Sequence, residues 1–288
     1  MNPKERDEAV MRAVRAAAQG QQRGSVHASQ RSETRFTYVE ELNLGTAGTI
    51  GKNRVERIAM NEYEAMLARH SVRQYLDIPL DAELRDALEA EVARANAESG
   101  LHIQLACEEP EAFAGGLAHY GSFRGVRNYL VLCGPKGAQA EELAGYSGER
   151  LVLRAQQLGL NSCWVALTFS KRKTHYTLAP GERLIIVIAL GYGATQGTAH
   201  SSKSPEKVAS APAPVPDWFA QGVAAALLAP TAINQQKFHF ELLEGPELAT
   251  GKPQVRATCK RGPQAHVDLG IAKYHFELGA GRDAFVWA

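Results

Sequence analysis

Residues 69–75 read Arg69-His70-Ser71-Val72-Arg73-Gln74-Tyr75 and follow directly on a short helical pattern in which Tyr63, Met66 and Leu67 share a face. If the run is extended, alternation sends Arg69, Ser71 and Arg73 to one side, gathering two guanidinium forks and a hydroxyl. Such a set suits a phosphate, because each guanidinium donates two parallel hydrogen bonds and neutralises charge. A solvated pair of arginines produces the same spacing, and spacing alone does not choose between the two.

Downstream, Pro79-Leu80-Asp81 opens a second helix whose stripe is Leu84, Leu88 and Val92. Residues 128–133 (NYLVLC) are short, apolar and closed by Gly134-Pro135, which predicts a buried strand. The pattern then gives a helix over 141–158 with Leu151, Ala155 and Leu158 on one side and Gly159 as its closing glycine. Strands follow at 162–167 and 183–190, the second nearly all apolar and therefore central. Residues 203–216, rich in Ser, Ala and Pro, read as an extended linker between a first half at 60–202 and a smaller one at 217–288. The smaller half carries a helix at 217–228, strands at 238–243 and 255–259 and a final helix at 267–278, too little for a full domain. Segments 145–160 and 267–281 share an early glycine, a helical stripe and a closing glycine, the mark of an internal half-repeat.

Upstream, residues 1–59 are rich in Gln, Arg, Ser and Gly and too sparsely apolar for a core, so they read as a disordered extension with a short helix at 4–18. A transit leader is the alternative, against which stand Glu5, Asp7, Glu8, Glu33, Glu40 and Glu41; Arg12, Arg15 and Gln19 break any secretory signal. The net charge of +1 gives no global reason for a nucleic-acid or membrane partner. No apolar stretch approaches the roughly 18 residues of a membrane helix. Cys107, Cys133, Cys163 and Cys259 lack metal or dithiol spacing and are expected as buried free thiols in a reducing cytoplasm, with no metal site.

A second run, residues 229–236 (APTAINQQ), lies where a helix gives way to a strand. Pro230 ends the helix, and Thr231, Asn234 and Gln236 offer neutral donors and acceptors of the kind that read the edge of a polar heterocycle. An ordinary turn satisfying its own backbone is the plainer reading. Two further signals carry less. Residues 191–197 (GYGATQG) follow a strand like a dinucleotide fingerprint, but Gln196 takes the third glycine's place and no helix follows, so they read as a strand-end turn. His275 on the last helix reads as a hydrogen-bonded core histidine before it reads as a general acid.

The pattern R-x-S-x-R-x-[FY] at Arg69, Ser71, Arg73 and Tyr75 resembles the FMN-phosphate motif of the nitroreductase family, and A-P-[ST]-x-x-N-x-Q at 229–236 resembles that family's second flavin motif. GYSGERLVLRAQQLGLNSCWV, RLIIVIALGY and DLGIAKYHFELGAG are similar to the subfamily whose chains are single-polypeptide pseudo-dimers, and the likeness covers most of residues 60–288. It implies an α+β nitroreductase-like fold, a central mixed or antiparallel sheet flanked by helices, in two unequal halves. In dimeric members the second motif follows the first closely; here 98–113 lacks it, which implies that the C-terminal half stands in for a second subunit and completes one FMN site. Phosphate contacts would fall to Arg69, Ser71 and Arg73, with Lys203 added. Pro230, Thr231, Asn234 and Gln236 would touch the isoalloxazine or ribityl, and the backbone of Trp164, Val165 and Ala166 would lie near flavin N5. His119, Tyr120 and Phe123 would line the substrate mouth. The implied activity is NAD(P)H-driven reduction of a small electron-poor acceptor, nitroaromatic or quinone-like, by a cytoplasmic monomeric pseudo-dimer or weak homo-oligomer; the alternative is a protein that binds FMN, or senses redox state, without turnover.

Overall fold

A computed structural model of the chain describes residues 60–243 and 251–288. The extension expected at 1–59, with its helix at 4–18, lies outside the described residues.

Helix α1 (Glu62–Ala68) starts from a capping box in which Glu64 N donates to Asn61 Oδ1 and Asn61 N to Glu64 Oε2, both at 2.9 Å. Its buried face holds Ala65 and Met66, and Arg69, one turn beyond Ala65, continues that face inward. Leu67, expected on the same face, stands about 100° from Met66 on a helix and is exposed. Helix α2 (Ala82–Ser99) is capped by Asp81, buries Leu84, Leu88, Val92 and Ala95, and stops at Gly100 in the left-handed conformation.

The first sheet has the order β1-β2-β4-β3, from β1 (His102–Ala106), β2 (Asn128–Pro135), β3 (Asn161–Val165) and β4 (Glu182–Gly191), all antiparallel. The continuous apolar runs of β2 and β4 follow from burial of both faces. Leu130, Leu132, Ile186 and Ile188 pack under the helices, while Tyr129, Val131, Val187 and Ala189 meet Phe113 and Phe123 on the other side. β1 had no sequence expectation, since only Ile103 and Ala106 of its five residues are buried and its alternation is broken at this edge.

Helix α3 (Gly116–Tyr120) is a short turn in the loop before β2, and α4 (Ala138–Gln157) covers the sheet. The C-terminal half adds α5 (Asp217–Ala226), α6 (Ala265–Ala280) and a second sheet, β5 (Ala209–Ser210), β6 (Phe238–Leu242), β7 (Gln254–Cys259) and β8 (Val286–Trp287). That sheet is mixed: β5 and β6 are parallel, as are β7 and β8, with an antiparallel pair between. Residues 203–216 differ from a free linker, because Val208, Ala209 and Ala211 are buried and β5 pairs with β6. Phe219, Phe240, Phe276, Phe285 and Trp287 form the aromatic core of this half.

The two halves meet where α4 crosses α6. A Cβ added at Gly145 would run into the Val267 carbonyl and one at Gly270 into the Glu142 carbonyl, so the close approach is reciprocal. These are the early glycines of the two half-repeat segments. The crossing is fixed on its flanks by Lys273 Nζ to Glu142 Oε1 at 2.7 Å, Tyr146 Oη to Glu277 Oε2 at 2.5 Å, and an edge-on Tyr146–Tyr274 pair. Among the described residues no helix is long and apolar enough to cross a membrane, and no group of three or more His, Cys, Asp or Glu is placed to hold a metal. The four cysteines are unbonded; Cys133 and Cys163 are buried as expected, whereas Cys107 and Cys259 are only half-buried.

Candidate functional site

The run after α1 is extended and lies along the outer edge of β3, with a parallel bridge between Ser71 and Ser162 and Val72 N donating to Ser162 O at 3.0 Å. Val72 and Tyr75 point into the core, and Tyr75 Oη donates to Val72 O at 2.7 Å. Alternation from the buried Val72 would put Arg69, Ser71, Arg73 and Tyr75 together on the opposite side, and Tyr75 departs from it by turning into the core. Burial pushes the Cys163 thiol up, while the Arg73 charge, a hydrogen bond with Ser71 and the Arg69 charge pull the other way. The neighbourhoods differ along the run, since Arg69 is 4 % exposed and Arg73 is exposed.

Arg69 decides what this place can do. Its Nε lies 3.6 Å from Glu149 Oε1, an ion pair too long for a hydrogen bond, and neither Nε nor Nη1 has a hydrogen-bond partner among the described residues. A buried guanidinium with open donors suits an incoming anion or electron-rich heterocycle edge. Glu149, projecting from α4, is fully buried and accepts from Trp164 Nε1 at 2.9 Å, with His275 Nε2 of α6 at 2.9 Å on its other oxygen. Burial alone would raise the Glu149 carboxyl; the His275 hydrogen bond and charge, the Arg69 charge and the Trp164 bond together hold it below the usual carboxylate value. Because Ser162 O faces the arginine run, alternation along β3 turns the Trp164 peptide N–H to the same edge.

The second run is built differently. After Pro230, the backbone takes positive φ at Ile233 (47°), Asn234 (55°) and Gln236 (42°), an uncommon conformation for residues with side chains and a strained one for a β-branched isoleucine. Side-chain bonds hold it. Asp268 at the start of α6 accepts from Ala232 N at 3.0 and 3.1 Å and from Gln235 Nε2 at 2.7 Å. Thr231 Oγ1 accepts from Gln236 N, Gln236 Nε2 donates to Ser201 O and Asn234 Oδ1, and Asn234 Nδ2 donates to Ser201 O. Lys203 donates its N–H to Gln236 Oε1 and its ammonium to the carbonyls of Gln235 (2.6 Å) and Gln236 (2.8 Å). Burial, then Lys207, Lys260 and Lys237, draw Lys203 below the usual lysine value.

Two connections join these regions. Residues 191–203 leave β4 and pass Gly197 against His70 and Ser71 before reaching Lys203. Burial, then Arg69, then His200 hold the His70 imidazole below its usual value. The other connection is α6 itself: Asp268, which holds the second run, and His275, which holds Glu149 behind Arg69, are seven residues apart. They share a helix face at a rise of about 10 Å. Residues 191–197 form the strand-end turn, with Gly193 N donating to Asn161 Oδ1, and His275 is fully buried and hydrogen-bonded. Of the loop residues expected at the mouth, Tyr120 is 89 % exposed, His119 and Phe123 face one groove, and Phe123 is otherwise core against Phe113.

Glu149 and Asp268 were not singled out from the sequence, although a signal existed. Glu149 interrupts the small, apolar face formed by Gly145, Gly148 and Val152, and Asp268 sits among Val267, Leu269 and Ile271. A charge on a buried stripe requires a partner.

Two long helices cross at paired glycines, each backed by its own sheet, in a fold of the nitroreductase type. The family model described as "Putative TM nitroreductase" matches residues 61–280, and the chain belongs to that family, a family of oxidoreductases. A Thermotoga maritima protein described as a "putative nitroreductase" is 20% identical, with 81% of this chain and 90% of that one covered and a TM-score of 0.56. A Desulfovibrio desulfuricans nitroreductase-type structure in complex with FMN is 20% identical over 50% of this chain and 93% of its own, at a TM-score of 0.40. No curated protein matches the chain.

Proposed function

We propose that the chain is an FMN-dependent oxidoreductase that takes reducing equivalents from NADH or NADPH and delivers them to a small, flat, electron-poor acceptor of nitroaromatic or quinone type. The observation that carries this reading is the buried Arg69 guanidinium, two of whose nitrogens make no hydrogen bond among the described residues, in the same extended run as Ser71 and Arg73 along the edge of β3. These groups fit a phosphorylated, polar-edged cofactor better than an apolar one. Arg69, Ser71 and Arg73 would hold its phosphate, with Lys203 supplying remaining positive charge. Thr231 and Asn234 would border the ring from the C-terminal half, with Pro230 and Gln236 shaping that turn, and the Trp164–Ala166 backbone would approach N5. FMN supplies the redox chemistry when bound; the chain supplies orientation, charge and exclusion of water.

On this reading the C-terminal half stands in for a second subunit, which the reciprocal Gly145–Gly270 crossing supports. The test is to denature the purified protein and weigh the small molecule released, then to mix flavin-loaded protein anaerobically with NADH and NADPH. Release of FMN and bleaching by either donor are expected. Colourless protein that takes up no added FMN overturns the proposal. Persistent yellow colour under donor favours the second reading, a flavin holder without turnover, to which the self-bonded 201–203 and 234–236 groups lend support.

A further inference from the structure

We propose that Glu149 and His275 are positioning residues that hold a proton inside the fold so that the Arg69 site keeps one net positive charge for its anionic cofactor. The inference rests on the flavin reading of that site and adds to it the charge state that the chain itself maintains.

Donors and acceptors around the pair fix where its protons lie. His275 Nδ1 lies 3.2 Å from Ala225 O of α5, and a carbonyl only accepts, so Nδ1 carries a hydrogen. His275 Nε2 lies 2.9 Å from Glu149 Oε1, so a second proton lies on that line, on the ring or on the carboxyl. Glu149 Oε2 already accepts from Trp164 Nε1, and the Arg69 charge stands 3.6 Å from Oε1. Both features favour the carboxylate, which puts the second proton on the ring and makes His275 an imidazolium. Both side chains are fully buried, so solvent supplies no competing partner.

Arg69, Glu149 and His275 then sum to one uncompensated positive charge in the interior, drawn from the run after α1, from α4 and from α6. Desolvation makes such an excess unfavourable until a counter-charge arrives. The sum is the same wherever the shared proton sits on the Nε2–Oε1 line; without that proton Glu149 would cancel Arg69 and the site would hold no net attraction for a phosphate. His275 thus lets Glu149 fix the guanidinium in place without annulling it. Because His275 comes from the C-terminal half and Glu149 from the first, the charge exists only when the two halves are docked.

Two measurements on the full chain test this. The first needs no cofactor: in flavin-free protein at neutral pH, both ring nitrogens of His275 are expected at imidazolium-type 15N shifts with the Glu149 carboxyl at a carboxylate-type 13C shift, and a neutral ring beside an ionised Glu149 overturns the proposal. The second compares FMN dissociation constants for wild type, His275→Gln and the double variant Glu149→Gln with His275→Gln. Removing the imidazolium alone leaves no net charge and is expected to weaken FMN by on the order of tenfold, a charge effect at moderate effective dielectric. It is also expected to make the midpoint potential of bound flavin more negative. Removing both members restores the single positive charge, so the double variant should bind more tightly than the single one. A double variant no tighter than His275→Gln would mean that the pair is only structural. Wild type that binds no FMN sinks the cofactor reading, while the nitrogen shifts still decide the protonation; if the variants fail to fold, the wild-type shifts decide it equally.

Discussion

The two polar runs, one tied to α6 through Asp268 and the other backed by Glu149 on His275, are opposite in design. At Arg69 the guanidinium is buried and left partly open, with Nε and Nη1 making no hydrogen bond among the described residues. Around Thr231, Asn234 and Gln236 the groups are bonded to one another, to Lys203 and to Asp268, in a turn of unfavourable backbone conformation. Open donors cost stability and suit a ligand; closed networks stabilise shape and position a surface. On the proposed reading, the first run would store binding energy and the second would form the wall against which the ligand is held.

That contrast depends on the helix crossing that sets the distance between the runs, and breaking the crossing has the largest expected effect. Gly270→Val drives side-chain atoms into the Glu142 carbonyl. Urea unfolding should show a loss of about 4 kcal/mol or more, the range reserved for severe overpacking. A variant with near wild-type stability would mean that α4 and α6 slide past one another freely.

Next in size is a pH effect confined to the second run. Burial pushes the Asp268 carboxyl up to about 6, against bonds from Gln235 and Ala232 that pull it down. The folded state then holds this proton more tightly than the unfolded chain, so the contribution is fully present below about pH 4 and is lost as pH rises through about 6. Its span is at most about 3 kcal/mol, because each pH unit between the unfolded and folded titrations is worth about 1.4 kcal/mol. Comparing unfolding of wild type and Asp268→Asn between about pH 4 and 7 isolates it, and parallel stability profiles would remove the assignment.

The runs should also separate ligand from fold. Arg69→Ala is expected to weaken FMN retention by roughly 1.5 to 3 kcal/mol, the scale of a charge-assisted hydrogen bond, with the flavin-free fold no less stable. Gln236→Ala should do the reverse, losing about 1 to 3 kcal/mol of folding stability because Lys203 N and Asn234 Oδ1 lose their partner. Equal effects of both variants on both readouts would erase the distinction.

The sequence made the elements legible where burial is two-sided or capped: the strands at Asn128–Pro135 and Glu182–Gly191, the Asp81 cap and the closing Gly159 all register in local pattern. β1 escaped because an edge strand buries little, and β5 escaped because two small residues among prolines carry no period. At the site, the extended course of residues 69–75 followed from their pattern. Glu149 did not, since its role is defined by a histidine 126 residues away. Long-range polar pairing leaves no local trace beyond a charge where the stripe should be apolar.

The smallest expected effect distinguishes the two arginines of one motif. Arg73 is exposed, so its charge is screened by water and salt, whereas Arg69 sits within the fold. Arg73→Ala should therefore weaken FMN by less than about 1 kcal/mol at physiological salt, the scale of a surface ion pair. Raising the ionic strength should shrink that difference further while leaving the Arg69→Ala effect nearly intact. If Arg73→Ala matched Arg69→Ala in size and in salt dependence, both guanidinium groups would be acting through solvent, and burial would not be what makes the first run a site.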